Sequence, residues 1–154
     1  MHLQPISVIK ISPTGEHMPI DASGHAAVLY PDFGVMFAVG AEGFAKPANY
    51  DDTVKRAEDL THAGETGWIL APDVRLQLLT IDFDRYGPAA DPNLFPDAIS
   101  NWHWTSHGVA WTKDDAGVPR AFWQVNGSLG NVGHDGRDGK AFSRPCRFVA
   151  RPGQ

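Results

Sequence analysis

The densest run of reactive side chains in this sequence is Trp102-His103-Trp104-Thr105-Ser106-His107. Two imidazoles with Asp82 or Asp84 as a third ligand would make a zinc-type donor set. Strand geometry argues against it, because residues four apart on a strand lie about 13 Å from each other, too far to share one ion. Ser106, His107 and Asp114 supply the residue types of a serine hydrolase. However, no nucleophile elbow of the G-x-S-x-G kind is present, and adjacency in sequence does not align a nucleophile with its base. Cys146 is the single thiol, in an apolar segment where cysteine packs rather than reacts. The sequence therefore predicts no catalytic centre, no metal and no cofactor.

Recognition chemistry is better represented. Asn131 to Lys140 holds carboxylates, an Asn and backbone carbonyls, oxygen groups of the kind that bind calcium. The D-x-D-x-D-G spacing and terminal Glu of an EF-hand are missing, so the stretch reads as a solvated hairpin loop, well suited to touching a ligand. Of five tryptophans, Trp68 and Trp104 are assigned to the core. Trp111 and Trp123 fall in late strands, where an indole face beside Asn, Asp and Arg suits a sugar ring or a protein hot spot. The candidate ligand-binding set is Trp111, Trp123, Asn131, His134, Asp135, Arg137 and Asp138.

These residues need a scaffold. Ile6 to Ile11 alternates as a strand, and Ala26–Tyr30 and Val35–Val39 flank Pro31-Asp32-Phe33-Gly34 as a hairpin. A helix is predicted from Tyr50, capped by Asp51 or Asp52, with Val54, Ala57, Leu60 and Thr61 on one face and a stop at Ala63-Gly64. A second helix starts at Pro72-Asp73; Val74, Leu76, Leu78, Leu79 and Ile81 make it apolar enough to be buried. Four prolines between Tyr86 and Asn101 predict an ordered, irregular loop. Strands then follow over 102–106, 109–112, 121–126, 129–132 and 142–150. The order of strands, two helices, then strands predicts a single α+β domain with long ordered loops and a late antiparallel sheet.

Composition narrows the function classes. At 154 residues the chain is long enough for a core without staples. Sixteen Gly and twelve Pro disfavour a helical bundle. A net charge of −5 disfavours nucleic-acid binding, which needs a basic face. One cysteine excludes an internal disulfide. No apolar run is long enough to span a membrane, and Met1 to Pro5 has no secretory character. The chain is expected in the cytoplasm, or within a virion.

Beyond single residues, the order of several landmarks resembles the Lcl C-terminal domain family (DUF1566), of the C-type-lectin-like superfamily. Trp68-Ile69-Leu70-Ala71-Pro72 is similar to its W-R-L-P run, and Asp91-Pro92-Asn93-Leu94-Phe95-Pro96 to its N-P-x-x-F-P loop. Trp104-Thr105-Ser106 and Phe122-Trp123-Gln124-Val125 match its aromatic strands, and Arg144-Pro145-Cys146-Arg147 its terminal strand. The resemblance runs from about residue 50 to 151. Ala71 is an insertion, Leu and Gln replace the usual Glu-Leu pair, and a cysteine common in the first helix is missing.

The resemblance implies a C-type-lectin-like fold, with two helices packed on antiparallel sheets. It also implies a noncatalytic module that binds a protein or glycan through its late loops. With no leader and one cysteine, a phage-encoded virion component or intracellular inhibitor of a host factor fits better than a surface adhesin. Two alternatives stand beside it. One is a structural or homo-oligomerising subunit that uses the strands between Ile6 and Val39. The other is a relative of the formylglycine-generating enzymes, which use two cysteines where this chain has one.

Overall fold

The computed structural model describes residues 6–150. Met1 to Pro5 and Arg151, where the resemblance ends, lie outside the described residues. The fold is α+β, with two antiparallel sheets and two short helices.

The first sheet is built mainly from the early strands β1 (Ile9–Ile11), β2 (His17–Met18), β3 (Ala27–Tyr30) and β4 (Val35–Ala38). Its order is β2-β1-β3-β4, and the late strand β8 (Cys146–Phe148) closes it beside β4. The expected hairpin forms with Tyr30 opposite Val35, and the Phe33 N–H donates to the Tyr30 carbonyl at 3.0 Å. Gly34 takes a φ of 62°, the left-handed conformation this tight turn needs. Every residue of β4 is buried because both faces of the sheet are covered. Ile11, Ala27, Met36 and Ala38 face one apolar cluster, while Val28, Tyr30, Val35 and Phe37 face another. Tyr30 buries its ring there, and that burial pushes its hydroxyl pKa up.

The first cluster fills the space between this sheet and the second, formed by β5 (Trp102–Gly108), β6 (Ala121–Asn126) and β7 (Val132–Gly136). Trp68 and Trp104, 1% and 0% exposed, anchor it as expected. The Trp104 indole N–H donates to the Ala48 carbonyl at 2.9 Å, which satisfies the one polar atom the ring brings inside. Tyr50 stacks on Phe122 with centroids 3.6 Å apart.

Helix α1 (Tyr50–Glu58) carries that tyrosine inward. Its cap is Asn49, not Asp51 or Asp52: Asn49 Oδ1 accepts the Asp52 N–H at 2.9 Å. The two aspartates sit in the first turn instead, where they oppose the helix dipole. The helix ends at Glu58, five residues before Ala63 of the expected Ala63-Gly64 stop.

The second predicted helix is a single turn, α2 (Val74–Gln77), followed by a 3-10 turn, Leu78–Thr80. The Thr80 hydroxyl donates to the Gln77 carbonyl at 2.8 Å and replaces the next helical bond. In so short an element the leucines are only half-buried, and the residue turned fully inward is Gln77. The loop from Tyr86 to Asn101 is irregular and well tied. Lys10 Nζ donates to Asn93 Oδ1 at 2.7 Å, and the His25 ring meets the Leu94 carbonyl at 2.6 Å.

Three late strands differ from expectation. Residues 110–112 form a 3-10 turn, closed by the Thr112 hydroxyl on the Val109 carbonyl at 2.8 Å. The strand expected over 129–132 lies at Val132–Gly136, and the one over 142–150 shrinks to Cys146–Phe148 around Pro145.

Candidate functional site

The face of the second sheet that holds Trp123 carries an unusual aromatic grouping. The 3-10 turn lifts Trp111 above the sheet, where it is 70% exposed. Its ring stands edge-to-face against Trp123 at 5.7 Å and against His134 at 5.7 Å. Trp123 and His134, cross-strand neighbours on β6 and β7, meet at 5.3 Å and 90°. The three rings thus brace one another, and edge-to-face pairs of this kind are favoured by the aromatic quadrupole. His107 adds a fourth ring, 6.4 Å from Trp123.

Thr112 fixes the turn to the sheet. While its hydroxyl donates to Val109, its oxygen accepts the Arg120 and Ala121 N–H groups at 3.2 Å. His107 reaches this face through an irregularity in β5, where the register shifts between Trp104 and Gly108. Thr105 repairs the ladder there, donating to the Trp123 carbonyl at 2.7 Å and accepting the His107 N–H at 3.2 Å.

The seven residues singled out in the sequence do not converge. Trp111, Trp123 and His134 come together. Asp135 is the partner of Phe122 in the register and falls on the opposite face. Its Oδ1 accepts the Gly136 N–H at 2.8 Å, and its carboxylate lies so close to Gly139 that a Cβ there would come within 2.1 Å. Arg137 is occupied on that same side: it pairs with Asp51 at 2.5 Å and lies over the Tyr50 and Phe122 rings. Asn131 and Asp138 are exposed at the two ends. The stretch read as a loop is half strand. His107 was not among the seven, although its place in the Trp102 to His107 run had marked it as a possible metal ligand or base.

The members of the hydrolase set considered above are each engaged with other groups. The Ser106 hydroxyl lies 3.4 Å from the Leu70 and Ala71 carbonyls. His107 Nδ1 accepts the Val74 N–H at 3.2 Å, and Asp114 accepts the N–H groups of Ala116 and Val118 at 2.9 Å. Burial pushes the Cys146 thiol up to about 12, so it carries no thiolate near neutral pH. Among the described residues, no three His, Cys, Asp or Glu side chains are grouped to hold a metal ion.

A second polar grouping lies inside. Arg144 is buried, with Nη1 donating to the Ala38 carbonyl at 2.7 Å and to Asp97 Oδ2 at 2.9 Å. Its guanidinium sits 4.5 Å from the Phe95 ring centroid. Burial works to raise the Asp97 pKa, but Arg144 and the Gly40 N–H outweigh it and hold the carboxyl below its ordinary range. His103 is pressed the other way: burial, then the Arg144 charge, lower it from 6.5 to about 4. A cleft of about 170 Å³ borders this group, lined also by Gly40, Phe44 and Ser143. Asp97 and Ser143 both line it, and Asp97 Oδ1 and Ser143 Oγ are buried there without a hydrogen-bond partner. The grouping reads as a tie between the two sheets and the long loop. No family model matches this chain, and neither the curated proteins nor the solved structures contain a match to it.

Proposed function

We propose that this chain is a noncatalytic recognition module of the C-type-lectin-like kind, binding a glycan or protein through the face built by Trp111, Trp123 and His134. The observation that carries the reading is the exposed yet braced indole of Trp111. A lone exposed hydrophobe is ordinary. A tryptophan fixed by two perpendicular rings is pre-organised, so little side-chain ordering remains to oppose binding. Its free face would take the C–H side of a pyranose or an apolar side chain of a protein. The lectin-like assignment is supported by the order of the landmark motifs and by two helices set against antiparallel sheets. The noncatalytic assignment is supported by the separate engagement of Ser106, His107 and Asp114 and by the protonated Cys146.

An array of defined oligosaccharides probed with the wild type and Trp111→Ala tests the glycan form. The expected result is saturable binding lost at least about tenfold in Trp111→Ala, with partial recovery in Trp111→Phe. Equal binding by Trp111→Ala would move the site elsewhere. A photo-crosslinking amino acid at position 111 tests the protein form, and failure of both assays would overturn the reading.

A further inference from the structure

We infer that β7 is a dimerisation edge, which pairs antiparallel with β7 of a second copy about a two-fold axis at Gly133. The inference rests on backbone groups and stands independently of any ligand at Trp111.

Sheet edges attract other strands, and proteins cover or blunt them. Most edges here are covered. Beside β5, the Trp104 N–H donates to Phe142, the Phe142 N–H to Trp102 and the Ser106 N–H to Ala71, each at 2.9 Å. Beside β8, Ile69 and Cys146 exchange two bonds of 2.8 Å. β2 is only two residues long. Among the described residues, β7 alone is a five-residue edge without such cover. Its sequence, Val132-Gly133-His134-Asp135-Gly136, has no lysine or proline to repel a partner.

The ladder parity says which groups are free. The Asn126 N–H donates to Asn131 and the Arg137 N–H to Arg120, so Asn131, Gly133, Asp135 and Arg137 turn their backbone towards β6. Val132, His134 and Gly136 therefore turn theirs outward. Gly136 is already satisfied, its N–H by Asp135 Oδ1 and its carbonyl by the Gly139 N–H at 2.9 Å. The N–H and C=O groups of Val132 and His134 remain.

One register uses all of them. With the axis at Gly133, Val132 faces the partner's His134 and His134 faces the partner's Val132, giving four ladder bonds. Side chains agree with this register. Asn131 lies opposite the partner's Asp135, an amide donor against a carboxylate, and Gly133 meets its own copy at the axis. No like charges face each other. Moving the axis to His134 would oppose the two imidazoles and demand the Gly136 groups that are already bonded.

A two-fold axis normal to the sheet makes one continuous six-stranded sheet with both Trp111 platforms on the same face. If the recognition reading holds, the dimer is bivalent and gains avidity from ligands arrayed on a surface.

Sedimentation equilibrium of the full chain tests the pairing. The expected species has twice the 16.7 kDa chain mass. Val132→Pro removes an outward N–H but no bond to β6, and should give a monomer with unchanged circular dichroism. Asn131→Asp sets carboxylates against each other and should weaken association about tenfold. Adding Asp135→Asn to it should restore the dimer. A monomeric wild type at high micromolar concentration, or a dimer indifferent to Asn131→Asp, would overturn the inference; so would failure of the charge exchange to rescue. If Val132→Pro fails to fold, the exchange pair still decides.

Discussion

Acid should loosen this fold through His103, and the size of the effect follows from where the ring lies. His103 is 7% exposed, and its Nδ1 donates to the Asn101 carbonyl at 2.8 Å, which fixes the neutral tautomer. A second proton would place a cation in a buried site facing the Arg144 guanidinium, with Asp97 offsetting only part of the penalty. The folded state thus binds fewer protons than the unfolded chain between about 4 and the ordinary 6.5. Stability is then fully present above 6.5 and falls as pH is lowered through that window. The linkage relation gives a loss of about 2 kcal/mol between pH 7.5 and 5, growing towards about 3 kcal/mol below pH 4. That is a substantial part of the ~5–15 kcal/mol that holds a domain together. The assay is urea unfolding at pH 7.5, 6 and 5 on the wild type and His103→Gln, comparing the change in stability with pH. The variant should be less stable than the wild type at pH 7.5, and the gap should narrow by about 2 kcal/mol at pH 5. A gap that stays constant with pH, or an imidazole signal of His103 that titrates near 6.5, would refute the reasoning.

Other perturbations read different parts of the fold. Gly127→Ala would bring a methyl group within 2.2 Å of the Ile99 carbonyl in a buried turn, so it should cost at least about 2 kcal/mol in chemical denaturation. Arg144→Met leaves the half-buried Asp97 carboxylate without its cation and should destabilise by about 3 kcal/mol, whereas the double variant with Asp97→Asn should recover part of that loss. Cys146, fully buried with its thiol pushed up to about 12, should react with a disulfide reagent only as fast as the chain opens, and at once in denaturant. Trp111→Ala removes two edge-to-face contacts and should cost about 1–2 kcal/mol, with circular dichroism unchanged, so that a loss of binding in the folded variant is read apart from its effect on folding.

The parts of the fold that were legible in the sequence are those where local chemistry and tertiary demand agree. The β3–β4 hairpin combines two apolar strands with a turn that has glycine where a positive φ is needed. Trp68 and Trp104 are core because burying an indole outweighs the need to satisfy its one N–H. Elsewhere a side chain took over a backbone bond that periodicity would have assigned to regular structure. Thr80 ends the second helix after one turn, and Thr112 curls a predicted strand into a 3-10 turn. β7 was hidden for the opposite reason. Glycine and aspartate have poor strand propensity, and the strand exists because β6 offers it a ladder.

The candidate site inherits that hidden strand. Read as a loop, Asn131 to Asp138 would present all its polar groups together. As a strand it must alternate, so His134 goes to the tryptophan face while Asp135 and Arg137 go to the other. The Asp135 carboxylate therefore cannot flank an indole-bound ligand from the same copy. Asp135 lies one residue from His134 on the strand edge, and in the dimer proposed above it would meet the Asn131 amide of the second copy. The polar half of the expected site is better placed to choose a register than to bind a sugar. The aromatic half, propped up by a turn that the sequence disguised as a strand, is what remains for recognition.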